Sequence, residues 1–175
     1  SVDSIAATIE LPVGTIGGKP AYLGLLDDFT IYNQALNASQ VAGDYSGVSI
    51  SKLPATATAS STEGAGFAAS NAVDDDASTR WSSLWHDGEY ITLDLGATKS
   101  VSRIELIWQY ACANHFEVRV STNGSTWSTA KTSVGAMGFQ TVENLSASAR
   151  YVRIFAVDRA TPYGVSLFDV SVYGS

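Results

Sequence analysis

Apolar and polar residues alternate with a period of two in four separate stretches of the second half of the chain. These stretches are Val101–Trp108, Phe116–Val120, Tyr151–Phe155 and Phe168–Val172. Because successive side chains of a strand point to opposite faces, each stretch can bury one face of an antiparallel sheet. Turn signals between them, such as Asn123–Gly124 and Thr161–Gly164, favour short connections. The pattern therefore predicts an all-β sandwich or barrel.

The main helical signal lies early in the chain. Asn37–Gln40 has the Ncap and N3 residues of a capping box, which predicts a short helix that ends at about Tyr45. Before it, Leu26–Tyr32 has the pattern of a strand. A segment rich in Ser, Pro, Ala and Thr, Ser49–Ser61, then separates this short β/helix segment from the remainder. We therefore place a domain boundary near residue 50.

The composition is that of a folded domain, with 45% hydrophobic and 15% charged residues. The net charge of −7 disfavours nucleic acid and anionic membrane surfaces as partners, since both need a basic patch. No apolar run approaches the roughly 20 residues that span a bilayer. The single cysteine, Cys112, excludes an intramolecular disulfide. Because no signal peptide is visible at Ser1, we expect a piece of a longer protein. Low Lys, abundant Ser, Thr, Ala and Gly, and many Tyr and Trp indicate a secreted bacterial module, which we expect to be a monomer.

The densest candidate chemistry lies in the loop Asn71–Ser83. Asp74, Asp75 and Asp76 are followed by Ser78 and Thr79, so that many hard oxygen donors are crowded into one loop. Such donors suit Ca²⁺. A solvated acidic turn capped by Asp and Ser explains the same residues, and the spacing alone leaves both interpretations open.

The region 51–175 resembles the coagulation factor V/VIII C-type, or discoidin, domain, and within it the bacterial family 32 carbohydrate-binding modules. The resemblance rests on collinear motifs at Ala57–Glu63, Asn71–Trp81, Ile91–Gly96, Val101–Trp108, Phe116–Trp127, Ala149–Arg153 and Tyr163–Gly174. It implies an eight-stranded jelly-roll β-sandwich of the galactose-binding-domain type, in agreement with the alternation described above.

Residues 1–50 show a different resemblance. The stretch Gly24–Asn37 is similar to the end of a laminin-G-like, concanavalin-type jelly roll. Most of such a domain is missing, so residues 1–50 are interpreted as its C-terminal fragment or as a linker. A fragment of this size buries little surface alone, and we expect it to pack on the discoidin-like domain.

The resemblance to discoidin domains implies one structural Ca²⁺ in the acidic loop. Carried over by position, its ligands are the Asn71 carbonyl, the Asp74 carboxylate, the Asp76 carbonyl, Thr79, the Phe168 carbonyl and the Asp169 carboxylate. Asp169 stands where the family has the longer Glu, so a water can intervene there. Asp75 stands where the family has Gly, and we expect it to adopt a backbone conformation that usually requires Gly.

The same resemblance places a ligand surface on the loops at one end of the sandwich. Its candidate residues are Glu63, Arg80, Trp85, His86, Gln109, Tyr110, Arg159, Thr161 and Tyr163. Aromatic faces pack against sugar C–H groups, and Arg, Glu and Gln match sugar hydroxyls. Trp81, Trp108 and Trp127 follow apolar patterns and are predicted to be core. Arg80 has an alternative role as a brace for the acidic loop.

The predicted function is that of a non-catalytic module that targets a secreted glycoside hydrolase or lyase to polysaccharide. No nucleophile or metalloprotease motif is present in the sequence. Gln109 stands where chitosan-binding members carry Glu, which favours a neutral, 1,3-linked glucan. Chitosan, and galactose or N-acetylgalactosamine with His86, are the alternatives. A cell-surface adhesion domain that binds protein or lipid is the alternative from another class.

Overall fold

The structure is a computed structural model that describes residues Thr15–Ile16, Lys19–Pro20 and 50–175. The chain divides into two compact units, Ser1–Ser46 and Gly47–Ser175. In the first unit, strand β1 (Thr15–Ile16) pairs with strand β2 (Lys19–Pro20) in an antiparallel hairpin.

The predicted strand and helix of the early segment, residues 26–32 and 37–45, lie outside the described residues. The same holds for the stretch that carries the laminin-G-like resemblance. Both remain predictions from the sequence.

The second unit is built almost entirely of strands, with one 3-10 helix at Ala69–Ala72. Its strands are β3 (Ser51–Lys52), β4 (Thr56–Ala59), β5 (Trp81–Ser82), β6 (Tyr90–Trp108), β7 (Ala113–Ser121), β8 (Ser128–Val134), β9 (Gly138–Val142), β10 (Ala147–Arg159) and β11 (Ser166–Gly174). All described strand pairs are antiparallel. The predicted all-β class is therefore confirmed. Residues 50–175 hold nine strands rather than the predicted eight, and two of the nine, β3 and β5, are two-residue segments that pair with β11.

Strand β6 belongs to two ladders and so connects the two halves of the unit. Its first part pairs with β4 and with β10, which in turn pairs with β7, and β7 with β8. Its second part pairs with β9 and β11. Apolar side chains that alternate along β6, β7 and β10 can then point from both ladders into one core.

Contacts between the two ladders show where that core lies. Trp108, at the end of β6, packs on Phe116 of β7 with ring centroids 5.5 Å apart. Trp81 and Trp108 are only 1% and 2% exposed, so their predicted core role is confirmed. The corresponding prediction for Trp127 is wrong, because this side chain is half-buried at the surface.

The remaining bulk features agree with this picture. Cys112 is buried and carries a free thiol. Within the described residues, no helix is long and apolar enough to cross a bilayer.

We predict that Trp108→Ala destabilises the second unit by about 3 to 5 kcal/mol, because it empties a large part of the core and removes the bond from its indole Nε1 to Gln140. Urea denaturation followed by circular dichroism measures this loss. Phe139→Ala is the matched control, since the Phe139 side chain is 65% exposed on the adjacent strand and should change stability by less than about 0.5 kcal/mol. Similar losses for both variants would contradict the proposed core.

Candidate functional site

Three loop segments meet at one end of the sandwich because β5 and β6 both end where β11 begins. Ser83 N donates to Val165 O at 2.9 Å, and Gln109 N donates to Ser166 O at 3.0 Å. Ser166 N in turn donates to Ala111 O at 2.8 Å. We call these three loops (83–89, 109–112 and 159–165), together with the loop 60–67, the rim. The rim gathers most of the predicted ligand residues.

Two exposed aromatic side chains of the rim lie against each other. Trp85 and Tyr163 are each 53% exposed, and their rings meet edge to face with centroids 5.8 Å apart and planes at 85°. Trp85 Nε1 donates to Glu63 Oε1 at 3.1 Å. The predicted residues Glu63, Trp85 and Tyr163 therefore lie together.

Glu63 is held in place from both sides. Its second oxygen, Oε2, accepts a hydrogen bond from Ser82 Oγ at 2.8 Å, and its backbone N–H donates to Ser82 O at 2.8 Å. Glu63 forms no salt bridge with any described residue. An exposed carboxylate with spare lone pairs beside two aromatic rings can accept hydroxyl or ammonium groups of a ligand.

Gly164 allows the final loop to approach Trp85. A Cβ at this position would overlap Ser83 O and lie 2.8 Å from Ser83 Oγ. Ser83 Oγ accepts a hydrogen bond from Val165 N at 2.9 Å, and this bond holds the final loop against the 83–89 loop. Only glycine fits between the two segments, and Tyr163 is consequently brought beside Trp85.

Arg80 does not brace the acidic loop. It forms no ion pair with any described carboxylate, and its guanidinium lies over the Phe67 ring, 4.4 Å from the centroid. Arg80 Nε is buried and has no hydrogen-bond partner among the described residues. The side chain is thus held flat on Phe67 without a partner for its charge, as the predicted ligand role requires.

Arg159 is used to hold the rim together. Its Nε donates to Asp87 Oδ1 at 2.9 Å, and its Nη1 donates to the carbonyls of Pro162 and Tyr163 at 3.1 and 3.2 Å. The hydrogen bonds from Arg159 hold the pKa of Asp87 below its usual range. The guanidinium therefore ties the final loop to the 83–89 loop, a role that the sequence did not indicate.

The side chains of two further predicted ligand residues contact neighbouring residues of their own loops. Gln109 Oε1 accepts a hydrogen bond from Ala111 N at 2.8 Å, which closes its own turn. His86 Nδ1 lies 3.5 Å from Glu89 Oε1. No hydrogen bond among the described residues links either side chain to Trp85 or Tyr163. Tyr110 is exposed.

Four oxygens converge at the predicted calcium loop. Thr79 Oγ1 lies 2.8 Å from Asp74 Oδ2, 3.1 Å from Asp76 O and 3.3 Å from Asn71 O. We call these four atoms the oxygen cluster. Two carbonyls, one carboxylate and one hydroxyl are a donor set that suits Ca²⁺.

The three consecutive carboxylates of the loop point to different partners. Asp75 pairs with Lys52, while Asp76 accepts bonds from Ser78 N at 2.9 Å and Ser78 Oγ at 2.6 Å. These bonds lower the pKa of Asp76. In the described part of the chain, no three His, Cys, Asp or Glu side chains are grouped to hold a metal. Of Asp74, Asp75 and Asp76, only Asp74 directs its carboxylate into the oxygen cluster. Asp75 has a φ of 61°, so its predicted glycine-like conformation is confirmed.

The remaining predicted metal ligands, Phe168 and Asp169, lie on β11, which packs against the 3-10 helix that carries Asn71 of the oxygen cluster. Burial raises the pKa of Asp169, although a bond from Ser171 Oγ at 2.7 Å acts in the opposite direction. The charge of Lys52 also stabilises the ionised form of Asp169. Lys52 is a cation beside these carboxylates that the sequence interpretation missed.

Other residues of the site were also missed. Ser82 and Asp87 orient Glu63 and Arg159, and Ser61 Oγ accepts a bond from Leu84 N at 2.9 Å. Asp87–Gly88 is a turn signal, which identifies a bend but not the partner of the carboxylate. Ser82 follows the buried Trp81 directly, so alternation places it on the opposite face, and its burial could not have been found from that pattern.

The described fold is that of an all-β domain whose rim loops meet at one end. Residues 56–169 match the model of the F5/8 type C domain. The chain belongs to this family. No curated protein sequence matches it.

Solved structures support the same assignment. Chitosan-binding module 1 of a chitosanase/glucanase from Paenibacillus sp. IK-5 is 40% identical, with a TM-score of 0.66, and the match covers 70% of this chain and 96% of that one. Module 2 of the same enzyme, in complex with chitotriose, is 37% identical, with a TM-score of 0.66 and coverage of 70% and 98%.

A family 32 module from Clostridium perfringens, in complex with galactose, is 22% identical with a TM-score of 0.62, and the match covers 71% of this chain and 98% of that one. At this identity it shows the fold alone. The predicted resemblance to discoidin domains and family 32 modules is confirmed, and these relatives are binding modules rather than catalytic domains.

We predict that Gly164→Ala separates Tyr163 from Trp85, since the new methyl group would overlap Ser83. The strain should lower stability by about 1 to 3 kcal/mol. Thermal unfolding measures the loss, and nuclear Overhauser contacts between the two rings report their separation. Gly66→Ala is the matched control, because a Cβ there meets nothing within 4 Å. Intact ring contacts in Gly164→Ala would show that the close approach is not required.

Proposed function

We propose that the rim binds a polysaccharide chain through Trp85, Tyr163 and Glu63. The observation that supports this most directly is the exposed edge-to-face pair of rings beside a carboxylate without a cationic partner. The two rings offer apolar faces to sugar C–H groups, and Glu63 accepts hydroxyl donors. Arg80 and Gln109 complete the proposed ligand surface, and Arg159 acts by holding the final loop.

The relatives with 37 to 41% identity support this proposal, because they are described as chitosan-binding modules of a chitosanase/glucanase. By analogy, this chain would bring a secreted, extracellular bacterial glycoside hydrolase or lyase to its substrate. The proposed module acts as a monomer, with polysaccharide as its partner and the other domains of the parent enzyme beside it.

The first candidate ligand is a neutral glucan, with 1,3-linked chains favoured. Gln109 is uncharged and its side-chain oxygen closes the turn to Ala111, so it offers no anion to an amino sugar. The shallow, exposed ring pair suits weak binding in the micromolar to millimolar range, which is about 4 to 8 kcal/mol.

Chitosan is the second candidate, and a specific observation favours it. No cation among the described residues pairs with the Glu63 carboxylate, which would accept a glucosamine ammonium group. Galactose or N-acetylgalactosamine depended on His86, whose ring lies near Glu89 instead. Adhesion to lipid is the alternative from another class, since Leu84 and Trp85 are adjacent exposed apolar residues.

We further propose that the oxygen cluster binds one structural Ca²⁺, a group that the fold family implies. The residues present fit the ion, since Thr79 Oγ1 already lies among the Asn71 carbonyl, the Asp74 carboxylate and the Asp76 carbonyl. Phe168 O and the Asp169 carboxylate would complete the set from β11. The ion would supply positive charge that ties the loop to the last strand, with no catalytic role.

We predict that Trp85→Ala and Tyr163→Ala each weaken binding to laminarin, a soluble 1,3-linked glucan, by at least about tenfold, as truncation of a central aromatic contact commonly does. Affinity gel electrophoresis measures the change. Phe139→Ala is the control, because it removes an equally exposed ring on β9, outside the rim.

The wild-type protein is run in parallel gels that contain laminarin or chitosan. The polysaccharide that retards the protein more identifies the preferred ligand class. Stronger retention by chitosan than by laminarin would select the amino sugar. Sedimentation with liposomes and no retention by either glycan would contradict the carbohydrate proposal. Retention that survives both aromatic substitutions would contradict the proposed surface.

We predict that Ca²⁺ raises the melting temperature by several degrees and that a chelator reverses the rise. An ion at about 100 times its Kd stabilises the folded state by about 2.7 kcal/mol. Differential scanning calorimetry with and without chelator measures the shift, and elemental analysis measures the metal content.

Two matched variants test the ligand set. Asp74→Asn should abolish the Ca²⁺-dependent rise, because its carboxylate faces the oxygen cluster. Asp76→Asn should keep most of it, because its side chain caps Ser78 and only its carbonyl would bind the ion. Equal behaviour of the two variants would refute this assignment.

A further inference from the structure

A second surface with unexplained chemistry lies on the outer face of the ladder formed by β4, β6 and β10. The strand register places Thr58, Thr92 and Arg153 opposite one another, and Thr56, Asp94 and Tyr151 in the next row on the same face. Together with Tyr90, Gly124 and Trp127, these residues line a groove of about 430 Å³. We call it the sheet groove. It shares no lining residue with the ligand residues proposed at the rim.

Arg153 is held rigidly in the sheet groove. Its Cζ lies 3.9 Å from the centroid of the Tyr90 ring and 3.8 Å from that of Trp127, so both rings stack against one guanidinium. Its Nε donates to Thr92 Oγ1 at 2.9 Å. A planar guanidinium fixed in this way presents its remaining N–H groups in one orientation, which favours recognition of a planar anion.

Arg153 differs from neighbouring arginines in its ion pairing. Two other arginines on this side of the sheet have carboxylate partners, Arg150 with Asp94 and Arg119 with Glu117. Within the described residues, Arg153 forms no salt bridge. Because Asp94 is neutralised by Arg150 in a two-bond contact at 2.8 and 2.9 Å, the groove carries a net positive charge on a chain of net charge −7.

Stacked arginines and aromatic residues also cover sheets in proteins without binding anything. Two observations indicate that covering the sheet is not the whole role of Arg153 and its aromatic neighbours. Trp127 lines a second hollow of about 380 Å³ with Val120–Asn123, so its ring separates two open depressions. Thr56 and Thr58 are exposed at the groove edge and offer hydroxyl groups to a ligand.

We propose that the sheet groove is a second carbohydrate site, which binds the carboxylate of a uronic-acid residue within a polysaccharide chain. The carboxylate would accept hydrogen bonds from the terminal nitrogens of Arg153. Tyr151 and Trp127 offer apolar ring surface to the sugar, and the threonine hydroxyls are partners for its hydroxyl groups. The ligand differs from that of the rim by its negative charge.

The test is a titration of the isotope-labelled protein with the trimer of galacturonic acid, followed by two-dimensional NMR. The signals of the Trp127 indole and the Arg153 Nε–H group should move and saturate. The same trimer with its carboxyl groups reduced to alcohols should bind at least about tenfold more weakly, since a charge-assisted pair is lost. Added salt should weaken the binding of the acidic trimer.

Single substitutions test whether the acidic trimer binds in the sheet groove or elsewhere on the domain. Arg153→Gln should lower the affinity for the acidic trimer at least about tenfold, while Arg119→Gln, an arginine already paired with Glu117, should leave it within about twofold. Trp85→Ala at the rim should have no effect. Circular dichroism confirms that each variant is folded, and the comparison of the two trimers needs no variant if Arg153→Gln is unfolded.

Three results would overturn the proposal. One is the absence of any saturable shift up to about 10 mM trimer, beyond the usual range of shallow sugar sites. Another is equal binding of the acidic and the reduced trimer. The third is a loss of binding in Trp85→Ala, which would place the acidic sugar at the rim.

Discussion

The rim depends on the way Trp81 is anchored between the core and the loops. Its indole is buried, its Nε1 donates to Ser61 O at 3.0 Å, and its carbonyl accepts a bond from Ser166 Oγ at 2.8 Å. One residue thereby fixes two segments: its indole holds the loop that carries Glu63, and its backbone carbonyl holds the start of β11 that follows Tyr163. It also separates the oxygen cluster, which ends at Thr79, from the aromatic rim residue Trp85. The buried Trp81 therefore also helps to position the proposed ligand groups, because it contacts the loop that carries Glu63 and the start of β11 after Tyr163.

Arginine has two distinct uses in this domain, and the difference depends on whether a carboxylate partner is present. Arg159 and Arg150 are committed to Asp87 and Asp94, where they hold loops and strands in register. Arg80 and Arg153 are instead positioned by aromatic rings and carry charge that no described carboxylate neutralises. A ring fixes the plane of a guanidinium without satisfying its N–H groups, so such a residue stays available for a ligand. In an acidic domain, these two positions offer positive charge to the ligands that we propose.

Much of the fold was predictable because period-two alternation reports directly on burial in antiparallel strands. The pattern identified the buried faces around Trp108 and Phe116, and the position of Asp75 at a glycine site predicted its left-handed conformation. The sequence predicted which loops carry the candidate site, but not the role of each side chain in those loops. Gln109 and Arg159 have sequence features of ligand residues, yet their side chains bind nearby backbone or Asp87, and such partners are set by loop geometry that local patterns do not encode. Trp127 was predicted as core because a strand pattern cannot tell an inward face from an outer face that is covered by stacked side chains.

We propose that the ring pair at the rim, and no other aromatic cluster of the described residues, receives a neutral sugar chain. The chain has four tryptophans, so an NMR spectrum of the labelled protein shows one indole N–H signal for each. Titration with a 1,3-linked glucose trisaccharide should move the Trp85 signal, whose N–H donates to Glu63, in a saturable way. The signals of Trp81 and Trp108 in the core and of Trp127 in the sheet groove should stay in place. A spectrum in which the Trp85 signal does not move, while the Trp127 signal does, would contradict the account.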